Sequence, residues 1–153
     1  MTQLKTDNCY TIFTIGFTKK NAKDFFDLIK KNRINLLVDV RLNNQSQLAG
    51  FTKKNDLMYF LKEICDCSYV HKPLWAPNEQ ILKDYKNKAI SWNDYDKKYI
   101  SLLESRNITQ DFNPEIYNNS CFLCSEPEPK QCHRRLLAEF LQKKNPNVTI
   151  KHL

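Results

Sequence analysis

Between Cys124 and Arg135 the chain reads Cys-Ser-Glu-Pro-Glu-Pro-Lys-Gln-Cys-His-Arg-Arg, which gathers thiols, an imidazole, carboxylates and guanidinium groups. These residue types can supply a nucleophile, a proton carrier and an anion clamp. The run follows an apolar segment, Ser120 to Leu123, and precedes an amphipathic one, Leu136 to Leu141. A strand end, a proline-stiffened loop and a helix start therefore fall close together, and in open α/β sheets ligands bind at such carboxyl-end junctions.

Each group has a role it can play and a plainer alternative. Cys132 at a helix start is expected to have a depressed pKa, as a thiolate nucleophile requires, yet cysteine also packs well at such a turn. His133 beside it can shuttle protons or simply pack. Asp39 and Glu126 can act as acid and base, or orient arginines and cap the last helix. Arg41 and Arg134 can grip one anion, helped by the unpaired N–H groups of the helix N-terminus. An Asp-x-Arg at a strand end equally forms a local salt bridge that fixes a loop. His71 reads first as structural.

A zinc reading uses Cys121, Cys124, Cys132 and His133 as a CxxC…CH set. Its spacing is poor, because positions i and i+3 of a strand point to opposite faces. No metal and no cofactor is therefore expected, and a metal-stabilised structural domain stands as a third alternative behind the two readings given below. Gly16 and Gly50 stand alone, so no glycine loop for cradling phosphate exists.

The elements that must position these groups alternate. Thr11 to Ile15 reads as a buried strand ending at Gly16, and Asn21 to Lys31 as a helix with Phe25, Phe26, Leu28 and Ile29 on one stripe. Ile34 to Val40 is apolar almost throughout, as suits a parallel strand covered on both faces. Arg41 to Thr52 is a polar loop of functional length. Asn55 to Cys65 reads as a helix, and Cys67 to Val70 as a strand ending at His71. Two helices fill Asn78 to Ser105, separated near Ile90 and Ser91, and the second carries an aromatic stripe, Trp92, Tyr95 and Tyr99, expected in the core. Asn119 to Cys124 is the fourth strand, Cys132 to Lys144 the last long helix, and Val148 to Ile150 the fifth strand. The order predicts one three-layer α/β domain over residues 1–153, with a mostly parallel, Rossmann-like sheet of about five strands. Parallel strands point their C-terminal ends the same way. Gly16, Asp39 to Arg41, His71 and Cys124 to Glu126 should meet at one edge, with Cys132, His133 and Arg134 entering from the last helix.

The 153 residues are 41% hydrophobic, enough for a real core, and no apolar run approaches membrane-spanning length. Met1 to Asn8 is polar and lacks the apolar stretch of a secretory signal. A cytoplasmic protein with no membrane partner is expected, its six cysteines present as thiols. Cys9, Cys65 and Cys67 are read as filler. The net charge of +7 suits an anionic small molecule or a nucleic acid as partner, although lysines scattered over helices can also reflect composition alone.

Several of these motifs, in order along the chain, resemble the DUF488 family of small proteins. Tyr10 to Phe17 is similar to its opening strand with Thr-Ile-Gly, and Val38 to Arg41 to its Asp-Val-Arg strand end. Ser46 to Phe51 resembles the loop that follows, and Tyr69 to Leu74 the Tyr-x-His segment. Cys124-Ser125-Glu126 with Cys132-His133-Arg134 resembles the closing Cys-x-Glu…Cys-His-Arg signature. The chain departs at Gln47, where an arginine or lysine is common, and in Leu74 to Pro77, which lacks the usual glycine. The resemblance implies an α/β domain with a shared polar site and no settled reaction.

Two readings follow. In the first, a polar pocket at the strand edge binds an anionic nucleotide or nucleic-acid ligand and catalyses hydrolysis or transfer, with Asp39, Glu126, His133 and Cys132 handling protons or attacking. Gly16, Arg41, His71, Cys124 and Arg134 then bind the ligand. In the second, the protein is a non-enzymatic nucleic-acid-binding or accessory module whose Cys-His-Arg cluster braces the last helix. The first predicts a contact between the Glu126 carboxylate and the Arg134 guanidinium.

Overall fold

The computed structural model describes residues 8–45, 50–126 and 128–153. Its five strands are β1 (Tyr10–Gly16), β2 (Leu36–Asp39), β3 (Ser68–His71), β4 (Ser120–Cys124) and β5 (Val148–His152). Its helices are α1 (Ala22–Lys31), α2 (Lys54–Cys65), α3 (Glu79–Lys86), α4 (Trp92–Ser105), α5 (Ile108–Asp111) and α6 (His133–Lys144), with short 3-10 turns at Gly50–Thr52 and Pro73–Trp75. All strand pairs are parallel, in the order β3-β2-β4-β1-β5. The five described strands form the expected parallel sheet.

Helix starts are fixed by local chemistry. The Asn21 side chain accepts from the Asp24 N–H at 2.8 Å and so caps α1 from outside. Ser91 and Asp94 form a capping box on α4. Asp66, left-handed at φ 50°, closes α2. The short helix α5 has no counterpart in the sequence reading; a single turn shows no periodicity to detect.

Both faces of the sheet are covered, as a parallel sheet requires. On one face Phe25, Phe26 and Ile29 of α1 and Leu57 and Leu61 of α2 pack against Phe13, Ile15, Leu37, Cys121 and Leu123. On the other, Tyr95, Tyr99 and Leu103 of α4 and Leu137 and Leu141 of α6 pack against Ile12, Val38 and Phe122. β2 thus leaves toward β3 on the α1–α2 face, while the adjacent β4 leaves toward β5 on the α6 face. Two neighbouring strands whose connections diverge open a crevice at their carboxyl ends, and here it lies between β2 and β4.

Register brings the predicted strand ends into one row. Gly16 stands opposite Cys124, Asp39 opposite Leu123, and Asp39 opposite His71. The Val40 N–H donates to the Leu123 carbonyl at 3.1 Å and carries the row one residue further. The loop after β2 was expected to be functional; Ser46 to Ala49 within it lie outside the described residues, as do residues 1–7. Among the described residues no helix is long and apolar enough to cross a membrane.

Candidate functional site

A cleft of about 640 Å³ opens at the β2–β4 crevice, with Arg41, Cys124, Glu126, Cys132 and His133 among its lining residues. Tyr85, Trp92 and Tyr95, from α3 and α4, form one wall. Trp92 and Tyr95 stack with ring centroids 4.9 Å apart, and Tyr85 tilts against Tyr95 at 5.0 Å. The stripe on α4 is therefore divided: Tyr99 and Leu103 are buried as expected, whereas Trp92 and Tyr95 also face the cleft.

The centre of the site is a sulfur pair held by one buried arginine. Arg134 is 0% exposed. Its Nη1 donates to Cys124 Sγ at 3.1 Å, to Cys132 Sγ at 3.7 Å and to the Glu126 carbonyl oxygen, while its Nε donates to Thr14 Oγ1 at 3.2 Å. The two thiols, both within reach of that one nitrogen, titrate as a coupled pair. Burial pushes the Cys124 thiol up, but the Cys132 hydrogen bond and the Arg134 guanidinium outweigh it, and the thiol sits below its ordinary value. Cys132 moves the other way, held up by the hydrogen bond it donates to Cys124 and by burial. Cys124 is thus the more acidic thiol of the coupled pair, because the guanidinium lies nearer its sulfur. This reverses the expectation that Cys132 would be the acidic thiol of the pair. The guanidinium lies nearer Cys124, and that proximity outweighs a position at the helix start.

Gly16 makes room for this arrangement. A β-carbon there would stand 1.5 Å from the Glu126 carbonyl oxygen, so only glycine lets the chain after β4 pass close over the end of β1. Glu126 reaches Arg134 through that backbone oxygen, not through its carboxylate, which is exposed on the cleft rim. The expected side-chain pair is therefore corrected to a backbone contact. Arg135 grips the same loop from outside, donating to the carbonyls of Pro129 at 3.1 Å and Lys130 at 2.9 Å.

Asp39 and Arg41 form the second cluster. Arg41 Nε and Nη2 reach the two Asp39 oxygens at 2.8 and 2.7 Å, and the Tyr69 hydroxyl donates to Asp39 Oδ2 at 2.6 Å. With the Arg41 N–H also on Oδ1 at 3.1 Å, the carboxylate of Asp39 is fully engaged. It orients Arg41 and has no lone pair positioned for a substrate proton. Arg41 Nη2 also meets the Thr52 carbonyl at 2.7 Å, but its Nη1 is buried without a hydrogen-bond partner among the described residues.

The histidines tie the loops together. His133 Nε2 lies 2.8 Å from the Val40 carbonyl and must donate there, since a carbonyl only accepts; Nδ1 is then the bare nitrogen. Burial lowers its pKa to about 4, so the ring is neutral near neutral pH. His71 Nε2 meets the Arg41 carbonyl at 2.7 Å and lies away from the sulfur pair. Among the described residues no three His, Cys, Asp or Glu side chains converge where a metal ion could sit. Cys121, a member of the zinc alternative, packs in the α1–α2 core.

Thr14 and Tyr69 hold site residues in place without having been singled out for it. Tyr69 stood in the Tyr-x-His segment, and Thr14 is a buried hydroxyl two residues before Gly16; a polar residue inside an apolar strand was the only local signal. The profile of the family described as "Domain of unknown function DUF488" matches residues 21–141, from the cap of α1 through most of α6. The chain belongs to the DUF488 family. Comparison with curated proteins and with solved structures finds no match. The matched span holds Arg41, Cys124, Cys132 and Arg134.

Proposed function

We propose that this DUF488 protein is an enzyme that binds a small anionic ligand of nucleotide type in the β2–β4 cleft and transfers or hydrolyses a group there through the Cys124 sulfur. One observation carries the reading. A thiol beside a buried guanidinium, Cys124 at 3.1 Å from Arg134 Nη1, and a buried arginine nitrogen without a partner among the described residues, Arg41 Nη1, belong to residues lining a single cleft. Arg41 holds the anion, and the ring wall of Tyr85, Trp92 and Tyr95 takes a flat base by stacking. The sulfur forms a bond to the electrophilic centre, and the departing group takes the proton of Cys132. His133, neutral with a bare Nδ1, can accept a proton from an incoming water.

Alkylation protection tests this on the unaltered protein. Iodoacetamide should modify Cys124 near neutral pH, and a nucleoside monophosphate should slow that reaction several-fold beyond sodium chloride at equal ionic strength. Equal rates with and without nucleotides would overturn the reading.

A second reading is favoured by the complete engagement of Asp39 and the burial of Arg134. Here the cluster is a brace, and lysines elsewhere bind nucleic acid. It predicts binding to a short duplex that weakens steeply with salt and is indifferent to alkylation of Cys124.

A further inference from the structure

We infer that Cys124 and Cys132 form a two-electron redox couple that reduces a small hydroperoxide and closes to a disulfide. This rests on the reading of Cys124 as the reacting thiol of the cleft, and adds a chemistry that group transfer does not need. Both residues border the cleft but are buried, Cys124 at 0% and Cys132 at 2% exposure, so the oxidant that reaches them has to be small. Their sulfurs share Nη1 of Arg134, at 3.1 and 3.7 Å. A disulfide needs the sulfurs to approach to about 2.0 Å.

The steps balance. The Cys124 sulfur attacks the terminal oxygen of the hydroperoxide; an S–O bond forms, the O–O bond breaks, and Cys124 becomes a sulfenic acid. The departing alkoxide takes the proton of Cys132 and leaves as the alcohol. Cys132, now a thiolate, attacks the Cys124 sulfur; the S–S bond forms, and hydroxide departs to take a proton from solvent. Two thiol sulfurs are oxidised by two electrons in all, and the peroxide is reduced by two. A low-molecular-weight dithiol returns the pair to its starting state by exchange. Arg134 serves both stages, since its Nη1 reaches either sulfur.

The other cysteines lack this arrangement. Burial raises Cys121 well above the ordinary thiol value and Cys67 to about 12. Cys9 is exposed and supplies the background reactivity to be subtracted.

The test is peroxide titration of the Cys9→Ser protein with one equivalent of hydrogen peroxide. Expected is a mass loss of about 2 Da, two fewer titratable thiols and a peptide joining Cys124 to Cys132. Dithiothreitol should restore both thiols. In Cys132→Ser the same treatment should add about 16 Da at Cys124, as a sulfenic acid trapped by dimedone. A stable Cys124 sulfenic acid in the protein that retains Cys132, or a disulfide joining other cysteines, overturns the inference. The unsubstituted peptide map is decisive even where Cys132→Ser fails to fold. Alkylation separates the two readings: Cys124 modified near neutral pH without disulfide formation defeats the redox couple alone, and an inert Cys124 defeats both.

Discussion

The Cα of Gly16 lies directly beneath the carbonyl group of Glu126, with no space for a side-chain atom between them. A β-carbon would also come within 2.7 Å of Arg134 Nη1, the atom that touches both sulfurs. The end of β1 is therefore the floor on which the Cys124 loop and Arg134 are set.

Replacing Gly16 by Ala should cost about 3 kcal/mol, as overpacking against backbone does. The urea midpoint should fall with an unchanged slope. Because the loop must lift, alkylation of Cys124 near neutral pH should change in the same variant. A fully stable Gly16→Ala protein with unaltered Cys124 reactivity would contradict the close approach.

Arg134 and Glu126 should behave unequally. Arg134→Ala empties a fully buried site and leaves Thr14, Cys124, Cys132 and the Glu126 carbonyl without their donor, and a loss of about 3–5 kcal/mol is expected. Glu126→Ala keeps the carbonyl that Arg134 uses and removes only an exposed carboxylate, so its effect should stay within about 0.5 kcal/mol. Chemical denaturation of the two variants settles the matter, and equal losses would restore a side-chain pair.

Asp39→Asn should be more damaging than Tyr69→Phe. The first leaves the buried Arg41 guanidinium without its counter-charge, at about 3–5 kcal/mol. The second removes one hydrogen bond from a carboxylate that keeps its arginine, at about 1.5–3 kcal/mol. Thermal melts of both proteins in one buffer provide the comparison.

His133 should impose an acid-side slope on stability. Its folded value of about 4 lies below the ordinary 6.5, so on acidification the unfolded chain takes up the proton first. Stability present above pH 6.5 is then lost as the pH falls toward 4, by roughly 3 kcal/mol. His133→Gln should flatten this part of the profile and leave the carboxylate-driven loss below it. Identical profiles for the two proteins would show that the ring is not buried in its neutral form.

Much of this was legible in the sequence because parallel topology is restrictive. Once β1, β2, β3 and β4 were read as parallel, Gly16, Asp39, His71 and Cys124 had to share one edge, and they do. Which thiol of the pair is the more acidic was not legible, because it depends on 3.1 against 3.7 Å to one nitrogen. Nor was the use of the Glu126 carbonyl, which depends on how the chain turns over Gly16. The Tyr69–Asp39 and Thr14–Arg134 contacts join residues 30 and 120 positions apart, beyond any local pattern.

The place of β4 in the sheet governs when the sulfur site can exist at all. Its neighbours β1 and β2 precede it by most of the chain: Ser120 aligns with Ile12 on one side and with Leu36 on the other. During synthesis both must wait with open inner edges, since neither pairs with the other and the strand that joins them has not emerged. Such high contact order makes closure late and leaves hydrogen-bonding edges exposed to other chains in the interval. Cys124 is the last residue of that closing strand. The thiol cluster therefore assembles only after the centre of the sheet has been sealed, and its reactivity can report complete folding.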